Sequence, residues 1–234
     1  MQTIHLSKRL QAVLAFIPQG AVLADIGADH AHLSCRAVQK GIAVQAIAGE
    51  VREGPFNQSL SNVLAMGMAA SVSVRLGDGL DVIKRGEAGA IVIAGMGGEL
   101  IADILERGRA KLAEGATLIL QPNIREAVCR AWLASGGWTI IDEAIVEEPP
   151  HFYEIIKARR FSAGEIRLTD KELMMGPILL RNQTPVFRKK WSLRERKLRM
   201  IVQSLEQSEE TEAVKLKRAD CVRTLKMIGA VLKR

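Results

Sequence analysis

Four short stretches combine glycines and acids in a way that suits holding a ligand. Asp25-Ile26-Gly27-Ala28-Asp29-His30 closes one apolar run and Glu50 closes a second. Leu76-Gly77-Asp78-Gly79 closes a third, and Ala94-Gly95-Met96-Gly97-Gly98 closes a fourth. Gly27 can take a backbone conformation closed to other residues and lets a ligand approach the main chain. A helix starting after it would offer free N–H groups to an anion. Glu50, 23 residues beyond Gly27, is spaced to accept both hydroxyls of a ribose, and Asp78 to reach an adenine amino group. The dinucleotide fingerprint GxGxxG is absent, so a pyrophosphate has no glycine cradle. That ranks a nicotinamide-dependent oxidoreductase last. A nucleoside without phosphates fits, and S-adenosylmethionine is the common one.

The elements that must position these residues follow from periodicity. Leu10, Val13, Leu14 and Ile17 share one helical face, with Ser7 as a possible cap. Thereafter short apolar runs alternate with helical stretches: AVLADIG, VQAIAGE, SVSVRL, AIVIAG and ATLILQ read as buried strands. Five such alternations predict a parallel sheet with helices on both faces. After Gly136-Gly137, WTIIDEAIVEE and HFYEIIKARR join at Pro149-Pro150 with no room for a helix. They are predicted to pair as an antiparallel hairpin at the sheet edge. The fold class expected is α/β, a Rossmann-like methyltransferase sheet with a terminal antiparallel hairpin and a C-terminal α-helical coiled-coil hairpin.

Charge divides the chain unevenly. Residues 170–234 carry 16 Lys and Arg against 8 Asp and Glu, a net of +8, whereas residues 1–169 carry 17 against 18. The tail is thus a candidate polyanion-binding module, with a solvated helical surface as the plainer reading. In it Trp191, Leu198, Ile201 and Leu205 fall on one heptad stripe, and Val214, Cys221, Leu225, Ile228 and Leu232 on a second. Ser208 is placed to cap the second helix, although one continuous helix also satisfies the pattern. The expected domains are 1–162 and 163–234. No apolar run reaches the ~18 residues that cross a bilayer, and Cys35, Cys129 and Cys221 lack metal-ligand spacing. Neither a membrane association nor a metal is expected; the expected location is the cytoplasm, with a monomer favoured.

LSKRL (6–10), ADIGADHAHL (24–33), AGEVREGPF (48–56), RLGDGLDVI (75–83), AGMGGELI (94–101) and LILQPN (118–123) resemble the bacterial tRNA (adenine(22)-N1)-methyltransferases, the TrmK-like family. AGMGG and DHAHL are the specific blocks, and His32 stands where that family often has Tyr. The resemblance implies methyl transfer from S-adenosylmethionine to N1 of an adenine in the tRNA D-arm, and it agrees with a helical-hairpin tail. The Asn/Asp-Pro-Pro-aromatic motif of amino-group adenine methyltransferases is missing. On this reading Asp29 and His30 are the catalytic candidates, with helix capping the plain alternative for Asp29. The cofactor contacts expected are Arg9, Asp25, Gly27, Asp29, Glu50, Val51, Asp78, Gly79, Ala94, Gly95, Met96 and Gly97. His32, Gln121, Asn123, Lys189, Lys190 and Arg194 are the candidates for the tRNA. A small-molecule methyltransferase and a catalytically silent RNA-binding protein are the rival classes.

Overall fold

A computed structural model describes residues 4–161 and 166–233. Its contacts divide the chain into two compact units, Met1–Ile178 and Leu179–Arg234. The domain boundary expected between residues 162 and 163 lies outside the described residues.

In the first unit α1 (Lys8–Phe16) precedes β1 (Ala21–Ile26), α2 (His32–Gln39), β2 (Ala43–Glu50), α3 (Glu53–Ala65) and β3 (Val72–Leu76). Then come β4 (Ala90–Gly97), α4 (Gly98–Arg107), β5 (Thr117–Ile124), α5 (Glu126–Ser135), β6 (Trp138–Glu148), β7 (His151–Arg160) and α6 (Asp170–Met175). The sheet runs β3-β2-β1-β4-β5-β7-β6. β1 to β5 are parallel, and β7 runs antiparallel to both β5 and β6. The expected hairpin is therefore present, with its second strand inserted beside β5.

The central strands read as unbroken apolar runs because helices cover both their faces. Alternate residues serve opposite cores. Ala24, Ile26, Ile91, Ile93, Leu118 and Leu120 pack with Ile101, Ile104 and Leu105 of α4 and with Leu133 of α5. Leu23, Val92 and Ile119 pack on the other side with Val13 and Leu14 of α1 and with Leu33 and Cys35 of α2. The strand order reverses between β1 and β4, so the carboxyl ends of these two strands open a crevice. Ligands of open α/β sheets bind at such a point.

α7 (Pro177–Asn182) crosses the division between the units. The second unit holds α8 (Pro185–Glu206) and α9 (Glu212–Leu232). The start of α8 meets the end of α9, where Arg188 Nη2 donates to the Leu232 carbonyl at 2.7 Å. The two helices are thus antiparallel and not one continuous rod. Thr211, rather than Ser208, caps α9, its hydroxyl accepting from the Val214 N–H. Trp191, Leu198, Cys221 and Ile228 are buried as their spacing implies, and Val231 is buried where the stripe pointed to Leu232.

Candidate active site

The loop after β1 is held by its neighbour. Gly27 and Ala28 donate their N–H groups to the Gly49 carbonyl at 2.9 and 3.2 Å. Gly27 has φ +71°, and a Cβ there would collide with Met96 Cε. Any other residue would therefore be strained and would displace Met96. Asp29, His30 and Ala31 follow with φ of 42°, 68° and 59°. Three consecutive non-glycine residues in the left-handed region cost about 1–3 kcal/mol each, and such strain gathers at functional sites. α2 takes Ala31 as its cap and receives no side-chain hydrogen bond, so Asp29 does not serve as a helix cap.

Two adjoining cavities open along this rim. One of about 110 Å³ is lined by Gly27, Gly49, Val51, Asp78, Gly79, Met96, Leu100 and Ile104. The other, about 190 Å³, is lined by Arg9, Asp25, Gly27, Asp29, Ala94, Gly95 and Met96. Gly27 and Met96 are common to both, so the pair forms one cleft along the ends of β1 to β4. The first half is chiefly apolar and the second carries charge of both signs.

Buried polar groups mark where a ligand would bind. Glu50 is 6% exposed, and its Oε1 has no hydrogen-bond partner. Burial raises its pKa, an effect opposed by the N–H groups of Asp29 and His30 that face it. A buried carboxylate oxygen without a donor is costly unless a ligand satisfies it. Asp25, 3% exposed, accepts from Ser34 Oγ at 2.9 Å. Its pKa is pushed up to about 7, first by burial and further by the charges of Glu50 and Asp29, against the Ser34 hydrogen bond. Asp78 is half exposed and paired with Arg107 Nη1 at 2.5 Å. That hydrogen bond holds the Asp78 carboxyl below its usual range.

Other candidates are placed differently from one another. His30 and His32 are T-shaped neighbours, their ring centroids 5.9 Å apart, and His30 Nε2 lies 3.6 Å from Asp29 Oδ1. His30 Nδ1 is buried without a partner. Arg9 reaches the cleft from α1, its Nη1 donating to Gln121 Oε1 at 2.6 Å. Gln121 is fully buried and Asn123 donates to the Gly95 carbonyl at 2.8 Å. Both amides are hydrogen-bonded within the chain, Gln121 in the interior and Asn123 at an exposed position. Gly97 ends β4 at the entry to α4. Lys189, Lys190 and Arg194 lie on α8 in the second unit. Sequence reasoning missed Ser34, Arg107, Leu100, Ile104 and Tyr153. No spacing rule ties any of them to the glycine loops; only the fold brings them near.

A sheet of this order with an acid-and-glycine cleft at its reversal point defines a Rossmann-like methyltransferase. The family is then specific: residues 23–226 match the model of TrmK, tRNA (adenine(22)-N(1))-methyltransferase, and the chain belongs to that family. It is 43% identical to the Bacillus subtilis tRNA (adenine(22)-N(1))-methyltransferase, with 99% of each chain covered. The crystal structure of Bacillus subtilis TrmK superposes with a TM-score of 0.90 at 42% identity, covering 98% of this chain and 100% of that one. The Streptococcus pneumoniae protein Sp1610, solved in complex with S-adenosyl-L-methionine, gives a TM-score of 0.86 at 41% identity, covering 97% and 100%.

Among the described residues, no helix is long and apolar enough to cross a membrane, and no group of three or more His, Cys, Asp or Glu could hold a metal ion.

Proposed function

We propose that this chain methylates N1 of adenine 22 in tRNA, using S-adenosylmethionine, as a cytoplasmic monomer. The observation that carries the reading is the cleft at the β1/β4 reversal, lined in both its halves by Gly27 and Met96, together with the buried Glu50 at the end of β2, whose Oε1 has no hydrogen-bond partner. The residues fit a nucleoside bearing an amino-acid tail. Glu50 would hold the ribose hydroxyls, and Asp78 with Val51, Gly79 and Leu100 the adenine. Asp25 would meet the tail's ammonium and Arg9 its carboxylate. Bound there, S-adenosylmethionine supplies an electrophilic methyl group. N1 of adenine has its own lone pair, so positioning outweighs proton removal. Asp29 would orient the exocyclic amine and offset the charge that develops on the purine. Incubation with tRNA and the cofactor, followed by mass spectrometry of nuclease fragments, tests the assignment. Methyl label at N1 of adenine 22 is expected. Label on small metabolites alone, or no transfer despite cofactor binding, would favour the two rival classes.

The buried acid gives a pH signature. Asp25, with its carboxyl raised to about 7, adds stability that is fully present below the unfolded pKa and lost as pH rises through 7. An ammonium bound beside it reverses the preference and favours the carboxylate. Cofactor affinity should therefore rise about ten-fold between pH 6 and 8, with proton release below pH 7. Calorimetry in buffers of different ionisation enthalpy measures both. Asp25→Asn should bind weakly with a flat pH profile; a wild-type profile already flat would remove Asp25 from the ammonium site.

The basic α8–α9 pair is the tRNA-holding element of this reading. Removing one cationic partner of a phosphate lowers the slope of log affinity against log salt by about 0.9. The variant Lys189→Ala/Lys190→Ala/Arg194→Ala should bind tRNA more weakly and with a shallower salt dependence, while cofactor affinity holds. Unchanged tRNA affinity and slope would leave this helix without a role in RNA binding.

A further inference from the structure

The end of β4 carries a slip in its pairing with β5. Ala94 pairs with Gln121 and Met96 with Pro122, leaving Gly95 between them without an opposite residue. Pro122 has no N–H and cannot restore the ladder. Side chains of β5 satisfy the bulge instead. The Gly95 N–H donates to Gln121 Oε1 at 3.1 Å, and the Gly95 carbonyl accepts from Asn123 Nδ2 at 2.8 Å. Gln121 Nε2 in turn donates to Asn123 Oδ1 at 3.1 Å.

Gln121 Oε1 also takes a second donor, Arg9 Nη1, at 2.6 Å. Two donors on one atom fix that atom as the amide oxygen and settle the orientation of the group. Arg9 is held from other sides as well. Its own N–H donates to Glu148 Oε2 at 2.9 Å, and its guanidinium lies 5.4 Å from the centroid of the Tyr153 ring. Gln121 is fully buried and lines neither half of the cleft.

We propose that Gln121 is a positioning residue that aims the Arg9 guanidinium at the carboxylate of the methyl donor while locking the Gly95 bulge beside it. The inference rests on the reading of Arg9 as the carboxylate partner. A long arginine on the first turn of α1 would otherwise sample many rotamers, and its pre-organisation lowers the cost of binding an anion.

The probes are S-adenosylhomocysteine, which carries the amino-acid tail, and 5′-methylthioadenosine, which lacks it. Gln121→Met keeps the volume and removes the acceptor. It should weaken S-adenosylhomocysteine about ten-fold, the scale of one charge-assisted hydrogen bond, and 5′-methylthioadenosine less than two-fold. Gln121→Glu keeps both acceptor interactions of Oε1, gives up the donation to Asn123 and neutralises Arg9, so it should show the same selective loss. Arg9→Ala should match them, and Arg9→Ala/Gln121→Met should be no worse than the weaker single variant. Equal losses on both probes, or additive losses in the double variant, would overturn the proposal in favour of simple structural support. A selective loss in Arg9→Ala with none in either Gln121 variant would sink this inference alone. No loss in Arg9→Ala would remove the carboxylate reading and the inference with it.

Discussion

Arg130→Ala should lower the stability of the chain by about 3–5 kcal/mol, the cost of leaving buried charges without their partner. Arg130 lies on α5 with its side chain fully buried, as are those of Glu143 and Glu154. Arg130 Nε donates to Glu143 Oε1 at 2.8 Å and Nη2 to Glu154 Oε2 at 2.5 Å. Its Nη1 donates to the Leu173 carbonyl at 3.1 Å, and Glu143 Oε2 accepts from the Ile178 N–H at 2.8 Å. One cation thus ties α5, both hairpin strands and the segment around α6 into a single network. Gly176 closes over it with φ +85°, where a Cβ would stand 2.6 Å from Glu143 Oε2. Thermal unfolding measures the loss. The deficit should shrink in acid, because orphaned buried glutamates have raised pKa values and are accommodated once protonated. A melting temperature within about 2 °C of wild type, well under the shift such a loss implies for a domain of this size, would show that the network holds nothing together.

That network illustrates what the sequence withheld. An arginine inside an amphipathic helix and two glutamates in alternating strands look like solvated positions. Glu143 points inward only because the β6–β7 register slips between Ile140 and Asp142, which moves every later side chain of β6 to the other face. No composition rule marks that slip. The sheet itself was legible because strands covered on both faces must be apolar throughout, and the hairpin because its two runs left no space for a helix. The cleft was legible where glycine and acid follow directly on a strand: Gly27, Glu50 and Gly95 needed no tertiary information to be singled out. Asp78 was found by the same rule, yet its pairing with Arg107 across 29 residues was beyond it. Gln121 and Asn123 were noticed as polar residues at a strand end, but their partners belong to α1 and to the β4 bulge. Their roles depend on the fold closing.

Asp29→Asn should reduce methyl transfer about 10²-fold while changing cofactor affinity less than about three-fold, the pattern of a charge needed chiefly in the transition state. Asparagine is the informative replacement. Position 29 has φ 42°, a conformation that Asp and Asn tolerate and Ala resists. Asp29→Ala would therefore mix the missing charge with backbone strain, which would disturb Glu50 through the N–H groups facing it. The side chain of Asp29 is 79% exposed, so it is not spent on internal contacts and can meet a base entering the cleft. Asparagine can still accept from an exocyclic amine; it cannot offset positive charge on the purine. Single-turnover methylation with saturating cofactor isolates that difference, and calorimetry reports binding separately. Undiminished methylation by Asp29→Asn would place the charge-stabilising group elsewhere, with the His30–His32 pair the next to test.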